Sequence, residues 1–239
     1  MFNHVCEEEI DHSWVPASAQ LRLRFREEAS LAREYADLLD EVPVMSATVL
    51  GLDMILQEPY VDLRSVSDLI LSDVGATIQI LRLIRREYDF AADRPSRIGE
   101  CLASLDVKTW YRAVSARTFA CDRKNAAIAA LWKHCREIAQ YAQLVAESME
   151  DIVPEDAYLV GLLHGIAAIP PVLGWPISET TGRAESALLA MEETLPVFVL
   201  DALRGLNDSS PTSGWRFILT AAHDLAASGR DVQPIQPTP

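Results

Sequence analysis

The stretch from Asn125 to Met149, NAAIAALWKHCREIAQYAQLVAESM, sets the fold class. Ile128, Leu131, Cys135, Ile138, Ala142, Val145 and Met149 recur at spacings of three and four, which lines one side of an α-helix with apolar groups. His134 falls three after Leu131 and four before Ile138, so the pattern predicts that it points inward. Downstream, Pro154 suits the first turn of another helix. The run from Ala157 to Ile169 is apolar nearly all round, which predicts a buried helix carrying His164 and stopped by Pro170-Pro171.

The same period continues in both directions, and few valine-isoleucine alternations pass for strands, so an all-α fold is expected. Upstream, a helix from Leu21 to near Glu41 is expected, then one from Pro43 through Leu56 that Pro59 closes. Asp62, Asp73 and Asp106 each precede an apolar pattern and suit N-caps. They predict helices through Val66 and Ile70, through Ile78, Leu81 and Ile84, and through Trp110, Val114 and Phe119, with a short helix at Ile98 to Leu102 between the last two. Beyond Pro171, helices are expected at 183–193, at 196–206, and from a Ser213 cap to Ala227. Residues 231–239 are too proline-rich and polar to fold alone and read as a flexible tail.

Composition narrows the function classes. The 239 residues are 49% apolar, enough for a substantial core. Lys and Arg number 21 against 35 Asp and Glu, a formal charge of −14 that repels polyanions, so nucleic acid is not expected as a partner. Arg82, Arg85 and Arg86 share one helical face, which reads chiefly as a solvated helix end and otherwise as a candidate docking patch. Cys6, Cys101, Cys121 and Cys135 show no CxxC pairing and read as reduced. No basic leader opens the sequence and no run reaches about 18 apolar residues, so a cytoplasmic protein without membrane contact is expected. A Gly-rich phosphate loop and a nucleophile elbow are both missing from the sequence.

Three polar groups fall on faces expected to be buried: His134, His164 and Asp224. Asp224 is placed there because it follows Ala221 by three and Phe217 by seven. Neutral imidazoles and an ionised carboxylate on three helices suit one cation. A single inward histidine is more often a core residue held by a hydrogen bond, so spacing alone leaves both readings open. Gly165, directly after His164, supplies no side chain.

The order His134, then His164-Gly165, then Asp224 resembles the histidine, histidine-aspartate pair and distal aspartate of HD-superfamily phosphohydrolases. More closely, the chain resembles the HDOD family, the HD-related output domain of bacterial signalling proteins. Val42-Pro43-Val44-Met45 is similar to that family's LPxLP-like start, and Ser67 to Asp73 to its LIxxDP segment. Ile80-Leu81-Arg82-Leu83 is similar to LLRLAN, and Ser96-Arg97-Ile98 with Ala103-Ser104-Leu105 to SIxxAIxxLG. Leu131-Trp132-Lys133-His134 and Leu159 to His164 resemble LWxHS and AFxAGLLHDIG. The likeness runs over about residues 40–230.

Residues 1–40, with a polar start and an incomplete apolar face, are expected to form an N-terminal extension, and the resemblance implies a helical body over 41–230. That body would have two lobes, about 41–120 and 121–230, with a cleft between them. Departures fall at Val74 for the proline of DP, Arg85-Arg86 for an asparagine-serine pair, Asp106 for the glycine of LG, and Gly165 for the aspartate. Asn207-Asp208 stands about where many relatives carry a histidine pair. In an active HD enzyme the missing aspartate binds metal and positions water. His134, His164, Gly165 and Asp224 are therefore expected to be vestigial, with no catalytic residue, metal or cofactor. The function expected is a non-catalytic signalling module that binds a protein partner or a small ligand. The alternative is a metal-dependent phosphohydrolase acting on a nucleotide or cyclic dinucleotide.

Overall fold

A computed structural model describes residues 39–88, 93–119, 125–175, 194–205 and 214–229. The expected helices at 21–41 and 183–193, the Ser213 cap, the 207–208 pair and the tail lie outside these residues, apart from a 3-10 turn at Leu39–Glu41. The described chain is mostly helical, as the period predicts.

The first lobe is built from short, capped helices. A two-residue strand, β1 (Val44–Met45), leads into α1 (Ser46–Leu56). The helix therefore begins three residues later than Pro43, because Val44 and Met45 pair in parallel with β2 (Thr118–Phe119). Asp62 caps α2 (Leu63–Leu71), its side chain accepting from the N–H groups of Arg64 and Ser65. Asp73 caps α3 (Val74–Glu87), which is the central helix of this lobe and is buried from Val74 to Ile84. α4 (Ile98–Ser104) and α5 (Val107–Ser115) complete it, the latter capped by Asp106 through the N–H of Thr109. Phe119 lies in β2, not in α5 as the spacing predicts, because the chain leaves the helix at Ala116 to reach β1.

The second lobe is organised by α6 (Ala126–Ala146) and α7 (Pro154–Leu163). Their close crossing depends on Gly161: a Cβ there would meet the Cα of Ala139 at 2.7 Å. The apolar run does not continue as one helix to Ile169. After Leu163 it tightens into a 3-10 segment, His164–Ala168, and resumes as α8 (Ile169–Leu173). Pro170 and Pro171 lie in the opening turn of α8 instead of ending a helix, a place where a proline's missing N–H costs nothing. By length and apolarity, the joined run Pro154–Leu173 could cross a bilayer, contrary to expectation, but half of its apolar window is buried, as in a core helix. α9 (Val197–Gly205) packs on α7, and α10 (Gly214–Ala227) packs on α6.

The lobes are joined by polar as well as apolar contacts. Trp132 of α6 is buried and its Nε1–H donates to Asp73 at 2.8 Å. The Tyr158 hydroxyl of α7 donates to the carbonyl of Leu71 at 3.2 Å, and Arg97 lies 3.9 Å from Asp156.

Candidate functional site: a three-histidine cluster

His134 projects from the middle of α6, and His164 opens the 3-10 segment at the end of α7. His223 projects from the last turns of α10. These three imidazoles face one another, with ring centroids 5.1, 5.4 and 5.0 Å apart. One ligand nitrogen from each falls within 4.8 Å of the others.

His164 anchors the group. Its Nδ1 lies 2.6 Å from the carbonyl oxygen of Gly161, an acceptor only, so Nδ1 carries the hydrogen and donates. In the neutral ring, Nε2 then holds the lone pair, and it lies 3.3 Å from Nε2 of His134. Burial pushes the His164 ring down to about 4, with smaller contributions from the neighbouring His223 and His134, so it is neutral near pH 7. Burial also lowers His223, and His134 adds to that, while Asp224 opposes it.

Of the residues expected here, His134 and His164 come together, but His134 is exposed instead of inward. The buried side of α6 carries Ile128, Trp132, Cys135, Ile138, Ala139, Tyr141, Ala142 and Ala146, and His134 stands at its margin. Asp224 is exposed and takes no part in the cluster; its place is taken by His223, which the sequence reading did not weigh. The expected burial rested on Phe217, which is itself 61% exposed. The buried face of α10 is Ile218, Leu219 and Ala222, and His223 lies four residues after Leu219. At about 100° per residue that puts His223 near the inner face and Asp224 well away from it.

Gly165 is fixed by packing. A Cβ at this position would fall 2.6 Å from Cys135 Sγ and 3.3 Å from a Leu131 methyl carbon. Cys135 is buried, and burial pushes its thiol up to about 11, which favours the protonated form of a packed side chain.

The arginine face is also corrected. Arg82 is nearly buried and bridges Asp40 at 2.8 Å, and Arg86 reaches the same carboxylate at 2.6 Å. Arg82 is thus an internal tie to the chain entering the lobe, not part of a solvated helix end, while Arg85 is half-buried.

The HDOD domain profile matches residues 42–176, more than half of the chain. The chain belongs to the HDOD family. The matched segment ends before α9 and α10, short of the 40–230 span read from the motifs, and so excludes His223. The fold is similar to two crystal structures of the MmoQ response regulator from Methylococcus capsulatus str. Bath. One, of a fragment 20–298, is 18% identical with a TM-score of 0.59, covering 82% of this chain and 88% of that one. The other is 15% identical with a TM-score of 0.63, covering 82% and 90%. No protein of curated function matches the chain.

HD ancestry implies a metal held by histidines together with aspartates. The residues present do not fit that group: Gly165 offers no ligand atom, a side chain there meets Cys135, and Asp224 is exposed on α10 outside the cluster.

Proposed function

We propose that this HDOD chain is a non-catalytic module of bacterial signal transduction, working in the cytoplasm by binding a protein partner or a small ligand. The observation that carries this reading is the closed Gly165 position. In HD-type phosphohydrolases the carboxylate of the histidine-aspartate pair helps hold the cation and orient the attacking water. Here the carboxylate is replaced by a glycine whose missing side-chain volume Cys135 occupies. The fold likeness to structures named as a response regulator supports the signalling half of the reading.

The test is turnover of a panel of phosphodiesters, including linear and cyclic dinucleotides, by the full chain with Mn²⁺ supplied. No turnover above the rate without protein is expected. Hydrolysis that His164→Ala abolishes would overturn the reading in favour of a phosphohydrolase.

A further inference from the structure

The three histidines carry a consequence separate from hydrolysis. We propose that His134, His164 and His223 form a binding site for one borderline divalent metal ion of the Zn²⁺ class, with a remaining coordination position open to solvent.

Three observations support this. First, the His164 ring is oriented as metal-bound imidazoles usually are, with Nδ1–H donating to a backbone carbonyl and Nε2 directed into the cluster. Second, the spacing is right for a shared ion. Metal–nitrogen bonds of about 2.0–2.1 Å in a tetrahedron separate two nitrogens by about 3.3–3.4 Å, and the two Nε2 atoms lie 3.3 Å apart. Third, that pair could be satisfied by one hydrogen bond, yet His223 from a third element closes on both rings at 5.0 and 5.4 Å. A simple histidine pair gives no reason for the third imidazole.

The donor set selects the ion. Three neutral nitrogens favour Zn²⁺, Co²⁺ or Ni²⁺ over the oxygen-seeking Mg²⁺ and Mn²⁺. The site shares His134 and His164 with the degenerate HD positions and differs in its third ligand: His223, beyond the HDOD match, stands where HD enzymes use carboxylates. His134 and His223 are both exposed, so their side chains have rotamer freedom to close a nitrogen separation that is already within 4.8 Å.

The experiment uses the untagged full chain, stripped with EDTA and titrated with ZnCl₂ by calorimetry, with CoCl₂ followed by visible absorption and MnCl₂ as contrast. The expected result is one Zn²⁺ per chain and the visible bands of Co²⁺ in a four- or five-coordinate nitrogen site. His134→Ala and His223→Ala should each weaken Zn²⁺ binding by at least about 100-fold, while Asp224→Ala leaves it unchanged. Circular dichroism of both histidine variants checks that these exposed positions leave the fold intact. No Zn²⁺ binding by the parent chain at millimolar metal overturns the proposal. So does Zn²⁺ binding that His223→Ala leaves intact, or that Asp224→Ala abolishes. Phosphodiester turnover would overturn the preceding section's reading while leaving this one standing, so the two fail separately.

Discussion

Asp73 and the three-histidine cluster are both polar groups set into an apolar body, and they are satisfied in opposite ways. Asp73 is fully buried and accepts from five donors. Met45 N–H and the Thr48 hydroxyl reach one oxygen at 2.7 and 2.9 Å, while Gly75 N–H, Ala76 N–H and Trp132 Nε1–H reach the other at 2.9, 3.3 and 2.8 Å. Burial pushes its carboxyl above the usual carboxylate range, and the hydrogen bonds from Met45, Thr48, Ala76 and Trp132 oppose that. Four of the five neighbours are N–H groups that can only donate, so these contacts favour the ionised form against the burial that disfavours it. At the histidine cluster three ring nitrogens converge with one hydrogen-bonding contact between His164 and His134, and two of the three rings are open to water. The first arrangement is closed and structural. The second leaves coordination capacity unspent, which is what a ligand site requires.

The contrast breaks most readily at Asp73. Replacing it with alanine strands five donors, three of them backbone N–H groups, between the start of α1, the start of α3 and α6. Urea denaturation of Asp73→Ala is expected to show a loss of about 3–5 kcal/mol, the range for opening a buried charged network. Asp73→Asn keeps the shape but turns an amide N–H toward other donors, so a loss of about 2–4 kcal/mol is expected. A loss below about 1 kcal/mol in both variants would show that Asp73 does not hold the lobes together.

A middle effect is expected at Gly165, where the question is whether packing or chemistry keeps the glycine. If the contact with Cys135 Sγ decides, Gly165→Ala destabilises by overpacking, about 1–3 kcal/mol. Cys135→Ala removes the obstructing sulfur, so the double variant should be more stable than the sum of the two single losses by about 1 kcal/mol. Strict additivity would mean that the neighbouring backbone yields, and the steric explanation for the missing aspartate would fall.

The sequence disclosed the framework better than the site, for reasons that individual residues make plain. Asp62, Asp73 and Asp106 each cap the helix expected of them, because a short acceptor beside the first free N–H groups acts locally and needs no tertiary knowledge. His164 was legible for a similar reason, since an apolar run on both sides leaves it few solvated orientations. What the sequence concealed depended on which side of a helix meets its neighbour. On α10 the bulky apolar Phe217 faces out while the smaller Ala222 faces in, so counting from Phe217 put Asp224 inside and passed over His223. On α6 the choice between Leu131 and Trp132 as the inner residue decides where His134 points, and only the partner Asp73 across the lobe junction settles it. Arg82 was misplaced likewise, because its partner Asp40 lies far away in the sequence.

The smallest expected effect sharpens the comparison most. If the histidine cluster is kept for binding and not for folding, removing a member from metal-free protein should cost almost nothing. His223 is exposed at the end of the last described helix, and no hydrogen bond tying it to the core is part of the cluster's geometry. In EDTA, His223→Ala is therefore expected to unfold within about 0.5 kcal/mol of the parent chain, as surface substitutions do. With Zn²⁺ present the two should diverge, because an ion that binds only the folded parent stabilises it by mass action and the variant gains little. Thermal melts with and without metal measure both halves. A large loss already present in EDTA would make His223 a structural residue like Asp73, and the distinction between the two regions would collapse.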